Sequence, residues 1–404
     1  MKKLKMILSR YNDEPILSLT MDGVIVRDLD AGGKMPTSFD GYQKISKGNL
    51  LMCLFDIDVT PRCIGLIKQD GVTSPAYSQF VLNAGNYAPY YYYLYLYLDN
   101  DKLLLPLAKN LRHSLTEDVL GEIPMIQPPL SEQQSIANYL DFKCSQIDQL
   151  SDNIKQQIEE LGEYKKALIT QAVTKGLDPD VEMKDSGIKW VGEIPSDWSI
   201  SKLKYVASII GGNGFPEYLQ GEDTDEIPFY KAGDISAAVR KISDSRTYIS
   251  RIIADKHRFN LIPSGAILMP KIGEAMKKNS RALSTKICCI DNNCQAIVPS
   301  NQVEQDYCYY LLCIVDMNDF DNAGTIPSLN NSKLLNLQIP FPPKKTQHAI
   351  ANYLDSKCSQ IDALIQTKSE ILNVLQEYKK SLIFDYVTGK KEVPVSYRKD
   401  GCHE

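Results

Sequence analysis

The sequence predicts an α+β protein in which two similar mixed α/β domains are joined by two long helices that form an antiparallel coiled coil. A segment written twice is the first reason. Residues 136–148 read IANYLDFKCSQID and residues 350–362 read IANYLDSKCSQID, so only Phe142 and Ser356 differ among the thirteen positions. The offset of 214 residues is far longer than a solenoid repeat of roughly 20–50 residues and marks a duplicated module of domain size. The second reason is that apolar residues in both copies recur every seven positions. The third is that short strand-like runs, set off by Gly, Pro or Asn, precede each copy.

Residues 1–130 read as the first domain, with strand-like runs LLMCLFDI (50–57), CIGLIKQDG (63–71) and YSQFVL (77–82). Gln69-Asp70-Gly71 reads as a hairpin turn. The run YAPYYYYLYLYLD (87–99) reads as an apolar helix or strand of this domain rather than a base-stacking platform, and it aligns with QDYCYYLLCIVD (305–316). The first long helix covers 131–176, entered after Pro128-Pro129 and expected to be capped by Ser131 with Gln134 at the capping-box position. Its seam is Leu140, Ile147, Ile154, Leu161 and Leu168, with Leu150, Ile158, Tyr164 and Ala172 at the offset positions. It is expected to end near Lys175-Gly176.

Residues 177–189 read as a linker, within a polar stretch that runs from Leu177 to Ile194. Residues 190–343 form the second domain, whose strand-like runs include IPFYKAGDI (227–235), AILMPKI (266–272), STKICCI (284–290) and QAIVPS (295–300). The second helix covers 344–390, with seam residues Leu354, Ile361, Leu375 and Leu382, and with Leu364, Leu372 and Tyr378 alongside; Lys368 stands where the first copy has Ile154. Residues 391–404 are a tail. An apolar stripe of this length needs a partner, and each copy supplies one for the other. Packing of each helix on its own domain is the alternative.

Composition narrows the chemistry. The chain is 24% charged and 43% hydrophobic, as in an ordinary soluble globular protein. No stretch approaches the roughly 18 apolar residues of a spanning helix, and MKKLKMILSRYNDEP lacks a signal-peptide core, so a cytoplasmic location is expected. The ten cysteines contain no CxxC, and the histidines are only four, His113, His257, His348 and His403. Buried thiols are therefore expected, not zinc or disulfides. GxxxxGK[ST], HExxH and GxSxG are all absent, and Gly211-Gly212-Asn213-Gly214 reads as a turn. No catalytic or metal-ligating set is expected.

What remains is binding. Net charge is −5, yet residues 240–286 carry eleven Lys or Arg against Asp244, Asp255 and Glu274. A basic stretch in an acidic domain polarises one face. Lys271 to Arg281 mixes cations, amides and hydroxyls after a strand, as contacts to phosphates and base edges require. The candidates for DNA contact are Lys231, Lys271, Lys277, Lys278, Asn279 and Arg281 in the second domain. In the first they are Thr60, Arg62, Thr73, Ser74 and Tyr77, and Arg112-His113-Ser114 with its repeat partner Pro327-Ser328 joins them. A coiled-coil scaffold with two protein-binding domains and no DNA role is the alternative reading.

The chain resembles the specificity subunits of type I restriction–modification enzymes, the HsdS family. PPLSEQQSIANYLDFKCSQIDQL and EYKKALITQAVTKGL are similar to the family's central conserved region, and PPKKTQHAIANYLDSKCSQID to its distal copy. GIKWVGEIPSDWSISKLKYVASIIGG (187–212) is similar to the usual lead into a target-recognition domain. MKKLKMIL aligns with SKLKYVAS (201–208), which leaves GIKWVGEIPSDW without a counterpart in residues 1–130. The first recognition domain is then either shortened or able to do without that lead-in. The resemblance implies two target-recognition domains that read a bipartite DNA sequence, and helices that set their spacing and dock two modification subunits. It places S-adenosylmethionine in those adenine-methylating partners, and ATP and Mg in restriction subunits. It implies that this chain holds no cofactor and performs no chemistry.

Overall fold

The structure is a computed structural model that describes residues 1–30, 36, 38–108, 112–215, 218, 226–322, 324 and 326–397. The tail from 398 on, including His403, lies outside the described residues. The chain divides into two units, Met1–Gln156 with Lys368–Glu404, and Gln157–Thr367.

In the first unit the strands are β1 (Lys2–Leu4), β2 (Leu17–Thr20), β3 (Gly23–Val26), β4 (Gln43–Ile45), β5 (Leu50–Met52), β6 (Ile64–Leu66), β7 (Gly71–Thr73) and β8 (Ser78–Val81). Helices α1 (Ala88–Asn100) and α2 (Glu117–Glu122) follow, and then α3 (Leu130–Lys175) begins. The central sheet is antiparallel, ordered β1-β8-β5-β6. Leu50, Met52, Ile64 and Phe80 on its face pack against the tyrosines of α1 and against Ile136, Leu140 and Ile147 of α3. The tyrosine-rich run is thus a core helix. Gln69-Asp70-Gly71 does not make a hairpin, because β7 pairs with β4 and β6 pairs with β5.

The second unit holds β9 (Met183–Asp185), β10 (Glu193–Pro195), β11 (Ser199–Lys202), α4 (Leu203–Val206), β12 (Ala207–Gly211), β13 (Ile227–Tyr230), α5 (Ala232–Ala237), β14 (Lys241–Ile242) and β15 (Tyr248–Ile249). After them come α6 (Arg251–His257), β16 (Ile267–Pro270), α7 (Gly273–Lys277), β17 (Ala282–Ser284), β18 (Cys289–Ile290), β19 (Cys294–Pro299), α8 (Gln305–Cys313), α9 (Asn331–Leu335), β20 (Gln338–Phe341) and α10 (Lys344–Val387). Its main sheet is ordered β12-β19-β16-β17-β14. The expected linker is a folded element: β9 and β10 form a hairpin, and Ile188, Val191 and Ile194 are buried beside Trp198 in the unit's core.

Sheet registers reveal a second internal offset. Leu50 faces Phe80 and Leu66, while Ile267 faces Ile297 and Leu283, so the sheets repeat at 217 residues where the long helices repeat at 214. Lys2 faces Val81 as Ser208 faces Val298. MKKLKMIL therefore occupies the place of β12, six residues beyond its apparent match in SKLKYVAS. Gly212 is not in a turn: the chain continues along Ile290 and Cys294, and a Cβ there would lie 1.8 Å from Asp291 O.

Both long helices have the expected extent, and they run antiparallel in each unit. In the first, Lys379 Nζ meets Asp148 at 2.6 Å and the Tyr386 ring packs against that of Tyr139 in a tilted arrangement, with centroids 4.7 Å apart. In the second, Lys165 Nζ meets Asp362 at 2.6 Å, and Ile169, Ala172 and Val173 are buried with Ile350, Ala351 and Leu354. The seam drifts from the strict heptad. Leu140, Ile147, Ile154, Leu354, Ile361 and Leu382 are buried, and Leu161, Leu168 and Leu375 half-buried, but Leu150, Tyr164, Leu364 and Tyr378 are exposed. A straight α-helix slips about 20° per heptad, so positions correct at one end have rotated away at the other. The N-terminus of α3 also differs, since Leu130 opens it and Ser131 is already inside. Gln133 takes over the sealing role: it donates to Pro128 O at 2.8 Å and accepts from Tyr87 N at 2.8 Å. Gln347 does the same with Pro342 O and Glu304 N.

Candidate nucleic-acid interface

In each unit the chain that leaves the third strand of the sheet order runs against the loop that leads back towards the long helix. In the second unit Leu329 N donates to Lys271 O at 2.9 Å and Gly273 N to Pro327 O at 2.8 Å. In the first, Leu115 N donates to Leu54 O and Asp56 N to Arg112 O, both at 2.8 Å. This pairing brings together Lys271, Lys277 and Lys278 with Pro327 and Ser328. It likewise brings Thr60 to the side of Arg112, His113 and Ser114, whereas Arg62 acts on Tyr92 of α1.

The charges at these loops are partly neutralised from within. Arg112 is exposed and forks onto Asp56, with nitrogen–oxygen distances of 3.3 and 2.8 Å. Its guanidinium lies 5.7 Å over the Phe55 ring, and it holds the Asp56 carboxyl below the usual carboxylate value. His113 Nδ1 lies 3.0 Å from Asp58. Ser114 Oγ donates to Arg112 O at 3.3 Å, and Thr60 Oγ1 to Phe55 O at 3.5 Å. In the second unit Lys277 pairs with Glu274 at 2.9 Å, and Ser328 N donates to Asp321 at 2.7 Å. Among the described residues no ion pair involves Arg62, Lys271 or Lys278. Within the basic stretch Arg240 pairs with Asp306 and Asp355, and Arg251 with Asp255, so part of the expected polarity is cancelled locally.

Several expected contacts are not at this surface. Arg281 is 6% exposed and donates to Asn279 O, Asn279 Oδ1 and Val315 O at 2.8, 3.0 and 2.5 Å. It stands just ahead of β17 and acts as an internal brace, its donors taken up by Asn279 and Val315. Asn279 is turned to the same network: its Oδ1 also accepts from Met317 N at 3.0 Å, and its backbone is left-handed with φ 57°. Thr73 is buried and donates to Leu17 O at 2.7 Å. The carbonyls of Ser74 and Tyr77 accept from Gln43 Nε2, and the Tyr77 ring packs on Leu17, Val24 and Ile45. These three residues belong to the β4–β7 side of the first unit and support its core. Lys231 is half-buried, with Nζ 5.4 Å over the Phe215 ring, and its α5 packs on β16 and α7.

The sequence reading missed Asp56 and Asp58, which complete the first loop, and the Asn318, Asn322 and Asn330 amides around the second. Asn322 Nδ2 donates to Ser328 Oγ at 3.2 Å, and Asn330 Nδ2 to Asn322 Oδ1 at 2.9 Å. The 217-residue offset would have paired these loops. Among the described residues there is no cluster of His, Cys, Asp and Glu that could hold a metal, and no helix long and apolar enough to cross a membrane. The nine described cysteines are free, all buried except Cys313, which is half-buried.

Comparison with known proteins gives the class. Residues 195–377 match the family model of the type I restriction modification DNA specificity domain. The chain is 28% identical over 287 residues to the type I restriction enzyme MjaVIII specificity subunit of Methanocaldococcus jannaschii, covering 67% of this chain and 62% of that one. It is 26% identical over 286 residues to the putative MjaX specificity subunit of the same organism, covering 69% and 62%. The match thus spans about three fifths of each relative's length. A solved chain from the type I R-M system, described for complex assembly and conformational transition, shares the fold with TM-score 0.66 at 16% identity, covering 86% of this chain and 83% of that one. Residues 195–377 thus match a type I restriction modification DNA specificity domain, and the chain is similar to type I restriction enzyme specificity subunits.

Proposed function

We propose that this chain is the non-catalytic, DNA-reading subunit of a type I restriction–modification complex, and that each unit reads one part of a bipartite double-stranded target. One observation carries the reading: the same pair of loops stands on the same sheet in both units, but with different side chains. The first unit's loops carry Asp56, Thr60, Arg112 and His113, and the second unit's carry Lys271, Lys277, Lys278 and Ser328. A common frame with unlike loops is what two readers of unlike sequences need. The near-identical segments of the two helices, 136–148 and 350–362, dock two copies of one partner, an adenine-modifying subunit that holds S-adenosylmethionine. Restriction subunits supply ATP- and Mg-dependent cleavage, and the complex works in the cytoplasm.

The test is to map methylated adenines made by the chain assembled with its modification subunit, and to compare binding to target and random duplexes. Two short motifs separated by an unread gap are expected. A continuous motif with no gap would sink the two-reader proposal, and equal affinity for random and target duplexes would leave only a scaffold.

A further inference from the structure

Beneath each interface loop lies a cation whose donors face backbone carbonyls, and the two cations are not repeat-equivalent. In the first unit Lys102 Nζ donates to Thr60 O at 2.9 Å and Ile57 O at 3.3 Å, and pairs with Asp99 at 3.1 Å. Asp99 is 4% exposed and also accepts from Cys63 N at 2.7 Å. These bonds tie residues 57–63 to the end of α1. In the second unit Arg281 and Asn279 tie the turn after α7 to Val315 and Met317, just past the end of α8.

The 217-residue offset puts Arg281 where the first unit has Ile64, and Lys102 where the second has Asp319. The sheet has no need of an arginine there, since Ile64 fills the same slot at 2% exposure. A buried ionic group is often no more stabilising than a well-packed apolar one, and geometric specificity is its better-attested use. Each brace also includes a left-handed residue other than glycine, Lys102 with φ 51° in the turn after α1 and Asn279 with φ 57° in the turn after α7, which the surrounding bonds must hold in place. Two units have reached the same device, a cation under the loop, from different sequence positions. The property they share is a fixed loop, not an inherited residue.

We infer that Lys102 and Arg281 are positioning residues that hold the reading loops of the first and second unit, so that each governs fidelity at one half of the DNA target. This rests on the DNA-reading function proposed above. The experiment uses the full chain assembled with its modification subunits, and duplex libraries randomised in one half-site at a time. The variants are Lys102→Met and Arg281→Ile, the latter giving the slot the side chain that the first unit already accommodates. Lys102→Met should lower discrimination at one half-site by on the order of tenfold and leave the other unchanged, and Arg281→Ile should do the reverse. Lys102→Arg and Arg281→Lys should restore part of it, and thermal midpoints should not track the loss.

Unchanged selection in both variants, or relaxation of both halves by either one, overturns the inference. So does a loss that follows the thermal midpoint. A wild type that selects no two-part sequence removes the underlying function, whereas a wild type that selects normally beside unaltered variants refutes this inference alone.

Discussion

Tyr307→Phe removes one hydroxyl and leaves a fully buried ring in place. That hydroxyl lies 3.3 Å from Val173 O and 3.2 Å from Pro340 O. Val173 sits in the last turn of α3, where a carbonyl has no partner within the helix. Tyr90 repeats the arrangement, with its hydroxyl 3.2 Å from both Val387 O and Ile126 O, and Val387 is the last residue of α10. Each hydroxyl has one proton, so each variant loses one hydrogen bond and leaves a pair of carbonyls without a donor. The expected cost is about 1–3 kcal/mol. For a unit the size of Gln157–Thr367 each kcal/mol lowers the midpoint by roughly 2–4 °C. Calorimetry of the full chain, fitted without assuming a single transition, should show a fall of roughly 2–12 °C. Hydrogen exchange localises it: Tyr307→Phe should speed exchange at residues 170–176, and Tyr90→Phe at residues 384–389. Midpoints within about half a degree of wild type, with unchanged exchange, would refute the argument that these tyrosines close the ends of the long helices.

Three further outcomes are expected. Lys165→Met and Lys379→Met each remove a partly exposed ion pair, so each should cost no more than about 1 kcal/mol, and the cost should shrink in high salt; a loss of several kcal/mol in urea titrations would show that these pairs are stronger than their exposure allows. Burial pushes the Cys63 and Cys308 thiols up to about 12 and those of Cys144 and Cys358 up to about 11. Unfolded thiols ionise near pH 8.5, so the unfolded chain releases protons first; this contribution to stability is complete below that pH and is lost as pH rises towards 11–12, which denaturation at pH 8 and pH 10 in reducing buffer measures. Lys278→Ala should reduce the slope of log affinity against log salt by about one, and Lys277→Ala by less because Glu274 already neutralises it; equal slopes for the two variants would contradict that ranking.

The sequence revealed the long helices best. Their apolar stripe, the Pro-Pro before them and the glycine after them are local signals, and the bounds come out within one to three residues of expectation. It also showed which face of α3 starts buried, but not where the stripe goes, because heptad counting ignores the slow rotation of a straight helix. The expected linker misled because its three apolar anchors, Ile188, Val191 and Ile194, are spread among polar residues and find a core only through long-range packing. Arg281 misled for a related reason. Residue type suggested an exposed reader, whereas Arg281 stands just ahead of the fully buried β17 and its guanidinium closes on Val315 O, a partner that only the fold brings within reach. The loops were legible as candidates one by one. Their pairing was not, since Lys271 and Pro327 are far apart in sequence and meet through backbone bonds that any residues could make.

Duplication also explains why the helices pair as they do. If a residue of the first copy meets a residue of the second in antiparallel array, the repeat-equivalents of both must meet as well. Asp148 with Lys379 and Lys165 with Asp362 are such a couple, each residue standing 214 positions from its equivalent in the other pair. Parallel pairing in register would set Asp148 against Asp362 and Lys165 against Lys379, and like charges would face each other across the interface. A duplicated helix with an acid early and a base late is therefore complementary to its own copy only when the copy is reversed. The charges that repeat contribute little stability, but they discriminate between the two orientations, and that discrimination follows from the sequence having been written twice.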